Sequence, residues 1–146
     1  MVDFTLERTQ TITRPLDEVF AFFSDPWNLG AITPPELRFA IVEAPVSLEA
    51  GSLIGYRLRI SGVPVRWLTE ITEWNPPRGF VDRQIEGPYS FWEHTHRFTE
   101  VPGGTEVYDH VRYRVLGGRL VERFLVRPKL ERIFDYRTER LPALLT

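Results

Sequence analysis

Cysteine is absent from this chain, so disulfides, thiolate nucleophiles and cysteine zinc sites are all excluded. Lysine is nearly absent as well: of the 18 basic residues only Lys129 is not arginine, a bias assigned to codon usage and not to function. Neither sign of charge dominates. The net charge of -2 gives no global pull toward nucleic acid, and none is expected as a partner. Long apolar runs are missing too. The opening residues Met1-Val2-Asp3-Phe4-Thr5-Leu6-Glu7-Arg8 hold no run of signal-peptide length. No stretch approaches the ~20 apolar residues that a membrane span needs. A cytoplasmic location without a membrane span is the expectation.

What is present fits an ordinary folded chain. With 146 residues, 42% of them hydrophobic and 26% charged, it suits one domain over residues 1–146 with a real core, not a disordered segment. Aromatics reach 13%, and such residues either thicken a core or line a cavity. Composition does not separate those uses. No internal repeat, low-complexity segment or interdomain linker interrupts the chain.

Residues 4–12 alternate loosely and read as a strand. Pro15 then opens a helix with Asp17 and Glu18 in its first turn, where the helix dipole favours them. Leu16, Val19, Phe20 and Phe23 fall on one face of it, and it stops at Ser24-Asp25-Pro26. Asp25 is placed to cap a second short helix, Pro26-Trp27-Asn28-Leu29, which Gly30 would end. Thr33-Pro34-Pro35 follows as a rigid extended turn. From Leu37 to Val115 the pattern is nearly all strand, over 37–43, 52–61, 64–74, 79–86, 89–101 and 105–115. Short turn signals between them make successive strands antiparallel neighbours. Residues 118–145 have helical period, but Pro128 must kink or split the run, and Pro142 implies fraying near its end. Leu130, Ile133, Phe134, Arg137, Leu141 and Leu144 share a face. The expected architecture is α+β: a seven-stranded curved antiparallel sheet wrapped around a long, proline-kinked C-terminal helix, with two short helices after the first strand.

The informative segment runs from Gly87 to Phe98. Strand side chains alternate faces, so Trp92, His94, His96 and Phe98 point the same way, and two large aromatics make that face the inner one. Across the next turn Val107, Asp109, Val111 and Tyr113 form the matching inner set, while Tyr108, His110, Arg112 and Arg114 read as solvated. A two-residue turn at Gly103-Gly104 would pair Phe98 with Asp109, His96 with Val111, and His94 with Tyr113. Phe80, Asp82 and Gln84 share one phase of the preceding strand. The inner face would then carry Asp82, Gln84, His94, His96 and Asp109 among Trp67, Trp92, Phe98 and Tyr113. Polar groups there need partners, because burying them unpaired costs free energy.

Three readings of that cluster stand side by side. It is a closed hydrogen-bond network that orders the core, or the polar end of an aromatic-lined ligand cavity, or a metal site. For the last, His94-x-His96 presents two imidazoles and Asp109 a carboxylate, but the sequence guarantees only two neighbours and no metal is assigned. No serine sits in a nucleophile-elbow motif, and no catalytic residue is assigned. Acid–base work by His94, His96, Asp82 or Asp109 on a bound ligand is chemically open. The arginines of the last helix alternate with Glu122, Glu131, Asp135 and Glu139, as in a solvated, self-paired face.

Several of these pieces resemble the SRPBCC superfamily, also called START-like or helix-grip proteins, and within it the small bacterial ligand-binding SRPBCC domains. The resemblance spans nearly the whole chain. It is carried by Pro15-Leu16-Asp17-Glu18-Val19-Phe20, Ser24-Asp25-Pro26-Trp27-Asn28-Leu29 and Thr33-Pro34-Pro35. Further along come Gly62-Val63-Pro64-Val65-Arg66-Trp67, Phe80-Val81-Asp82-Arg83-Gln84 and Gly87-Pro88-Tyr89. Trp92-Glu93-His94-Thr95-His96-Arg97-Phe98, Gly104-Thr105 with Asp109 and Tyr113, and Arg127-Pro128 through Arg137 complete it. The resemblance implies a seven-stranded sheet gripping the last helix around a ligand cavity. It carries the fold further than the activity, because one scaffold hosts carriers, receptors and cyclases.

The expected function is therefore binding of a small, largely apolar molecule between sheet and helix, without a cofactor. A cofactor-free cyclase or dehydratase using the same cavity is the alternative. Trp67, Asp82, Gln84, Trp92, His94, His96, Asp109, Tyr113 and Phe134 are the candidate ligand-binding residues. Ligand identity and oligomeric state stay open.

Overall fold

The first strand, β1 (Phe4–Ile12), buries Leu6 and Ile12 on its inner phase. Behind it α1 (Leu16–Phe23) turns Val19, Phe20 and Phe23 inward. The structure, a computed structural model, describes residues 2–145. Asp25 accepts the Trp27 amide at 3.0 Å and starts a 3-10 helix over Pro26–Ile32. That helix runs through Gly30, where a stop was expected. It ends at Thr33, because the proline that follows bars the helical region to that residue. Another 3-10 turn, Pro35–Leu37, leaves Arg38 left-handed at φ 47°. For this reason β2 is only Ala40–Glu43, shorter than the strand expected from residue 37.

The remaining strands are β3 (Leu53–Ile60), β4 (Val63–Asn75), β5 (Gly79–Glu86), β6 (Phe91–Val101) and β7 (Gly104–Arg114). They form one seven-stranded, curved antiparallel sheet in the order β1-β7-β6-β5-β4-β3-β2. The β6–β7 turn differs from expectation. It is Pro102-Gly103, with Val101 opposite Gly104. Proline fixes φ at the first central position and Gly103 takes φ 86° at the second, the combination that defines a type II turn. His96 therefore faces Asp109, His94 faces Val111 and Trp92 faces Tyr113. The register moves by two residues, so every side chain keeps its face.

Register also shifts between β4 and β5, where Thr72 is passed over. The bulge switches the inward phase of β4. Trp67, Thr69 and Ile71 point into the core before it, and Trp74 packs on Phe20 and Phe80 after it. Close approach matters at the start of β5: a Cβ on Gly79 would lie 2.2 Å from the backbone oxygen of His96.

The C-terminal helix has three parts: α2 (Gly118–Val121), a π-helical stretch Glu122–Val126, and α3 (Arg127–Leu144). The break expected at Pro128 takes the form of that wide turn, in which the Arg127 amide bonds to Glu122 O. Pro142 does not stop the helix. Its missing N–H strands the Thr138 carbonyl, and Gln10 Nε2 of β1 supplies the lost donor at 2.8 Å. Arg14 Nε closes the last turn on Leu145 O, also at 2.8 Å.

Two apolar clusters lie on the inner face. One gathers α1, Phe98, Val107 and Leu141; the other gathers Trp67, Trp92, Tyr113, Leu130 and Phe134. Trp92 and Phe98 of β6 belong to different clusters, and His94 and His96 stand between them. Among the described residues, no helix is long and apolar enough to cross a membrane.

The backbone contact at Gly79 yields a test. Gly79→Ala should force β5 away from β6 and cost about 1–3 kcal/mol, the usual penalty of overpacking. A urea midpoint equal to that of the parent protein would show that the sheet absorbs the methyl group.

Candidate functional site

Between the concave face of the sheet and the C-terminal helix lies a cavity of about 440 Å³, in the size range of small-molecule sites. Its walls are mostly apolar and include Phe23, Leu48, Ile54, Leu58, Trp92 and Phe134. Leu116, Leu125 and Lys129 belong to the lining and are also solvent-exposed, so the opening lies beside the first turns of the C-terminal helix.

The polar end is built on three neighbouring strands and α3. His94 Nε2 lies 2.8 Å from Asp109 Oδ1, and His96 Nε2 lies 2.6 Å from Asp82 Oδ2. The two imidazoles stack at 3.7 Å, and Phe80 stacks on the far side of His96 at 4.0 Å. Arg137, reaching in from α3, donates to Asp109 Oδ1 at 3.2 Å. Thr69 gives its hydroxyl proton to Arg83 O at 3.1 Å and approaches Asp82 Oδ1 only to 3.5 Å.

Of the candidate residues, Trp67, Asp82, Trp92, His94, His96 and Phe134 line the cavity. Asp109 does not; it stands behind His94 as that ring's partner. Tyr113 is also away from the lining, and its hydroxyl donates to the buried carboxylate of Glu122 at 2.5 Å. Arg127 Nε donates to the same oxygen at 2.9 Å. Gln84 clamps the turn before β6, giving Nε2 to Tyr89 O at 2.8 Å and accepting the Tyr89 amide at 3.1 Å. Sequence reasoning left out Arg137 as a site residue. The available signal was a charged side chain on an otherwise apolar helix face.

Asp82, His94 and His96 bring one ligand atom each within 4.8 Å of one another. That donor set suits a transition metal in type. However, Asp82 Oδ2 and His96 Nε2 are already committed to each other at 2.6 Å. The Arg137 guanidinium beside Asp109 further opposes a cation here, and we assign no metal.

The family model described as "Polyketide cyclase / dehydrase and lipid transport" matches residues 3–146. The chain belongs to this family. No curated protein matches it in sequence. Among solved structures, the polyketide cyclase/dehydrase fold recurs in the Zhui aromatase/cyclase of a Streptomyces species. That match has TM-score 0.77 and 16% identity, covering 99% of this chain and 94% of that one. Ginseng major latex-like protein 151 from Panax ginseng has TM-score 0.75 and 15% identity, covering 99% of each chain. The Thermus thermophilus protein TTHA0849 has TM-score 0.70 and 22% identity, covering 99% of this chain and all of the other. These likenesses establish the helix-grip fold.

Burial sets the titration of the cluster. It pushes the Asp82 carboxyl up, yet the His96 hydrogen bond and the positive charge of neighbouring groups hold it below the usual range. Asp109 behaves alike: burial raises it, and the bond from His94 with the charge of Arg137 lowers it further. For His96, burial comes first and the nearby His94 second, and together they lower it to about 4 despite the pull of both carboxylates. His96 is thus neutral near pH 7, and its Nε2–H donates to the ionised Asp82 Oδ2.

The sign of the linkage follows. Between pH ~6.5 and ~4 the unfolded chain takes up a proton at His96 that the folded chain refuses, so stability falls as pH falls. The expected loss is on the order of 3 kcal/mol. Below that window the depressed Asp82 and Asp109 lose their own contributions as they protonate. Urea midpoints across pH 4–7.5 should show the first slope in the parent protein and lack it in His96→Gln. An equal slope in both would mean that His96 is already charged when folded.

Proposed function

We propose that the protein binds a small, largely apolar molecule in this cavity, as a carrier, sensor or sequestering protein. The observation that carries the reading is the cavity itself: an aromatic and aliphatic wall, an opening at the helix start, and hydrogen-bonding groups gathered at one end. A site built this way holds its ligand by burial and orients it by a few polar contacts. The match to a family described as including lipid transport supports it.

A second reading has a specific observation behind it. His94 and His96 both line the cavity, and each is held by a carboxylate, the arrangement acid–base chemistry uses to fix a tautomer. A cofactor-free cyclase or dehydratase acting on an oxo- or hydroxy-substituted ligand would use it. Turnover of such a compound, lost in His94→Ala and Asp109→Asn while binding persists, would favour the enzyme over the carrier.

Filling the cavity tests the common ground. Leu58 is buried and on the lining. Leu58→Trp should weaken a one-to-one complex with an environment-sensitive apolar dye at least tenfold, about 1.4 kcal/mol. Dye affinity that does not change, in a variant shown to be folded, would place the dye elsewhere and remove the case for the cavity.

A further inference from the structure

The segment that walls the opening of the cavity also turns apolar side chains to water. Val121, Leu125 and Val126 belong to the lining. Leu120 and Phe124 do not, and they enter neither apolar cluster of the core. They are 72% and 64% exposed, and Leu116 and Leu125, which flank them in the chain, are exposed as well. Leu120 and Phe124 lie four residues apart on the helix, so they present one face. Large apolar side chains gathered in water in this way mark a contact surface.

The exposed charge of the same stretch has one sign. From Leu116 to Lys129 the sequence holds Arg119, Arg123, Arg127 and Lys129 against a single carboxylate, Glu122. Glu122 is buried and accepts from Tyr113 and Arg127, so it neutralises Arg127 and shows no charge to solvent. Arg119, Arg123 and Lys129 are exposed. Lys129 reaches the Ser61 hydroxyl, and Arg123 lies over the Phe124 ring at 5.4 Å. Among the described residues no ion pair engages any of the three. Farther along, Arg132 and Asp135 do find partners, Glu36 and Arg8. The self-paired face expected from the sequence thus does not extend to the start of the helix.

A bilayer with anionic headgroups fits such a face. Its apolar side chains enter the boundary between headgroups and acyl chains, and its arginines meet phosphates. A second copy fits worse, because a two-fold pairing would press Arg119 and Arg123 against their own counterparts. The whole chain carries -2, so attraction to an anionic surface is confined to this end. It therefore orients the molecule with the opening toward the lipid.

We infer that the start of the C-terminal helix docks the protein on anionic lipid bilayers, with the cavity opening facing the membrane. The inference goes beyond the cavity reading, since docking requires no bound ligand. The experiment is co-sedimentation of the intact protein with vesicles of phosphatidylcholine alone and of phosphatidylcholine mixed with phosphatidylglycerol, at low and raised salt. The apolar dye is titrated alongside in vesicle-free solution. Binding is expected on the mixed vesicles, weaker on neutral ones and at raised salt. Arg119→Gln with Arg123→Gln should weaken it roughly tenfold or more, since each cation near an anionic surface contributes about fivefold. Leu120→Gln with Phe124→Gln should weaken it roughly tenfold as well. Neither pair should move the urea midpoint or the dye affinity, because these residues join neither core nor lining. No binding to mixed vesicles, or equal binding by parent and variants, would overturn the docking inference; dye binding would then keep the cavity reading standing. A dimer in solution that Leu120→Gln with Phe124→Gln dissolves would assign the face to a second copy and overturn it too. So would a lowered urea midpoint in both variants, which would make the patch part of the fold. Docking that persists without dye binding would overturn the cavity reading alone.

Discussion

Two imidazole–carboxylate contacts, shielded from water by aromatic rings, are what the middle of this molecule is organised around. Each runs from β6 to a different neighbour, His96 to Asp82 on β5 and His94 to Asp109 on β7. Arg137 then ties Asp109 to the helix. Three strands and the helix that crosses them thus meet at five polar side chains. Ions buried this way cost several kcal/mol each in desolvation and recover it only through good geometry. The return here is positional: the contact of Arg137 with Asp109 favours the register in which the helix docks.

That requirement explains the division of the core. A uniformly apolar inner face would let α1 and α3 pack on one continuous layer. Instead the polar pair on β6 separates a cluster around Phe98 from one around Trp92, and the helix spans the gap. The space left where neither cluster closes over the polar end is the cavity. Its asymmetry, with polar side chains gathered at one end, follows from strand alternation, which turns Asp82, His94 and His96 inward.

Much of this was legible in the sequence because period-two alternation is insensitive to small errors. Placing the β6–β7 turn one residue late changed every cross-strand partner, yet left His94, His96 and Asp109 on the inner face. What escaped were features that depend on three-dimensional company. Gln84 shares the phase of Asp82, but proximity of its own strand end to Tyr89 turned it to a backbone clamp. Tyr113 lies inward as expected but finds Glu122, a glutamate buried at the start of the π-helical stretch. Pro142 reads as a helix breaker until Gln10, distant in sequence, is seen to donate to the carbonyl it strands. Arg137 was visible as a misfit on an apolar stripe; only the fold says which carboxylate it serves.

The sheet has two free edges, and neither invites another strand. β2 offers four residues and a register irregularity between Ile41 and Glu43. β1 is longer, yet its inner phase carries Arg8 and Gln10, both engaged by side-chain or carbonyl oxygens of α3. Short, bulged or inward-charged edges are how natural sheets avoid growing by strand addition. Stickiness in concentrated solution should therefore come from an apolar surface the molecule shows to water, the start of the C-terminal helix with Leu116, Leu120, Phe124 and Leu125. Aggregates formed that way would keep their native sheet and dissolve on dilution, unlike fibrils built edge to edge.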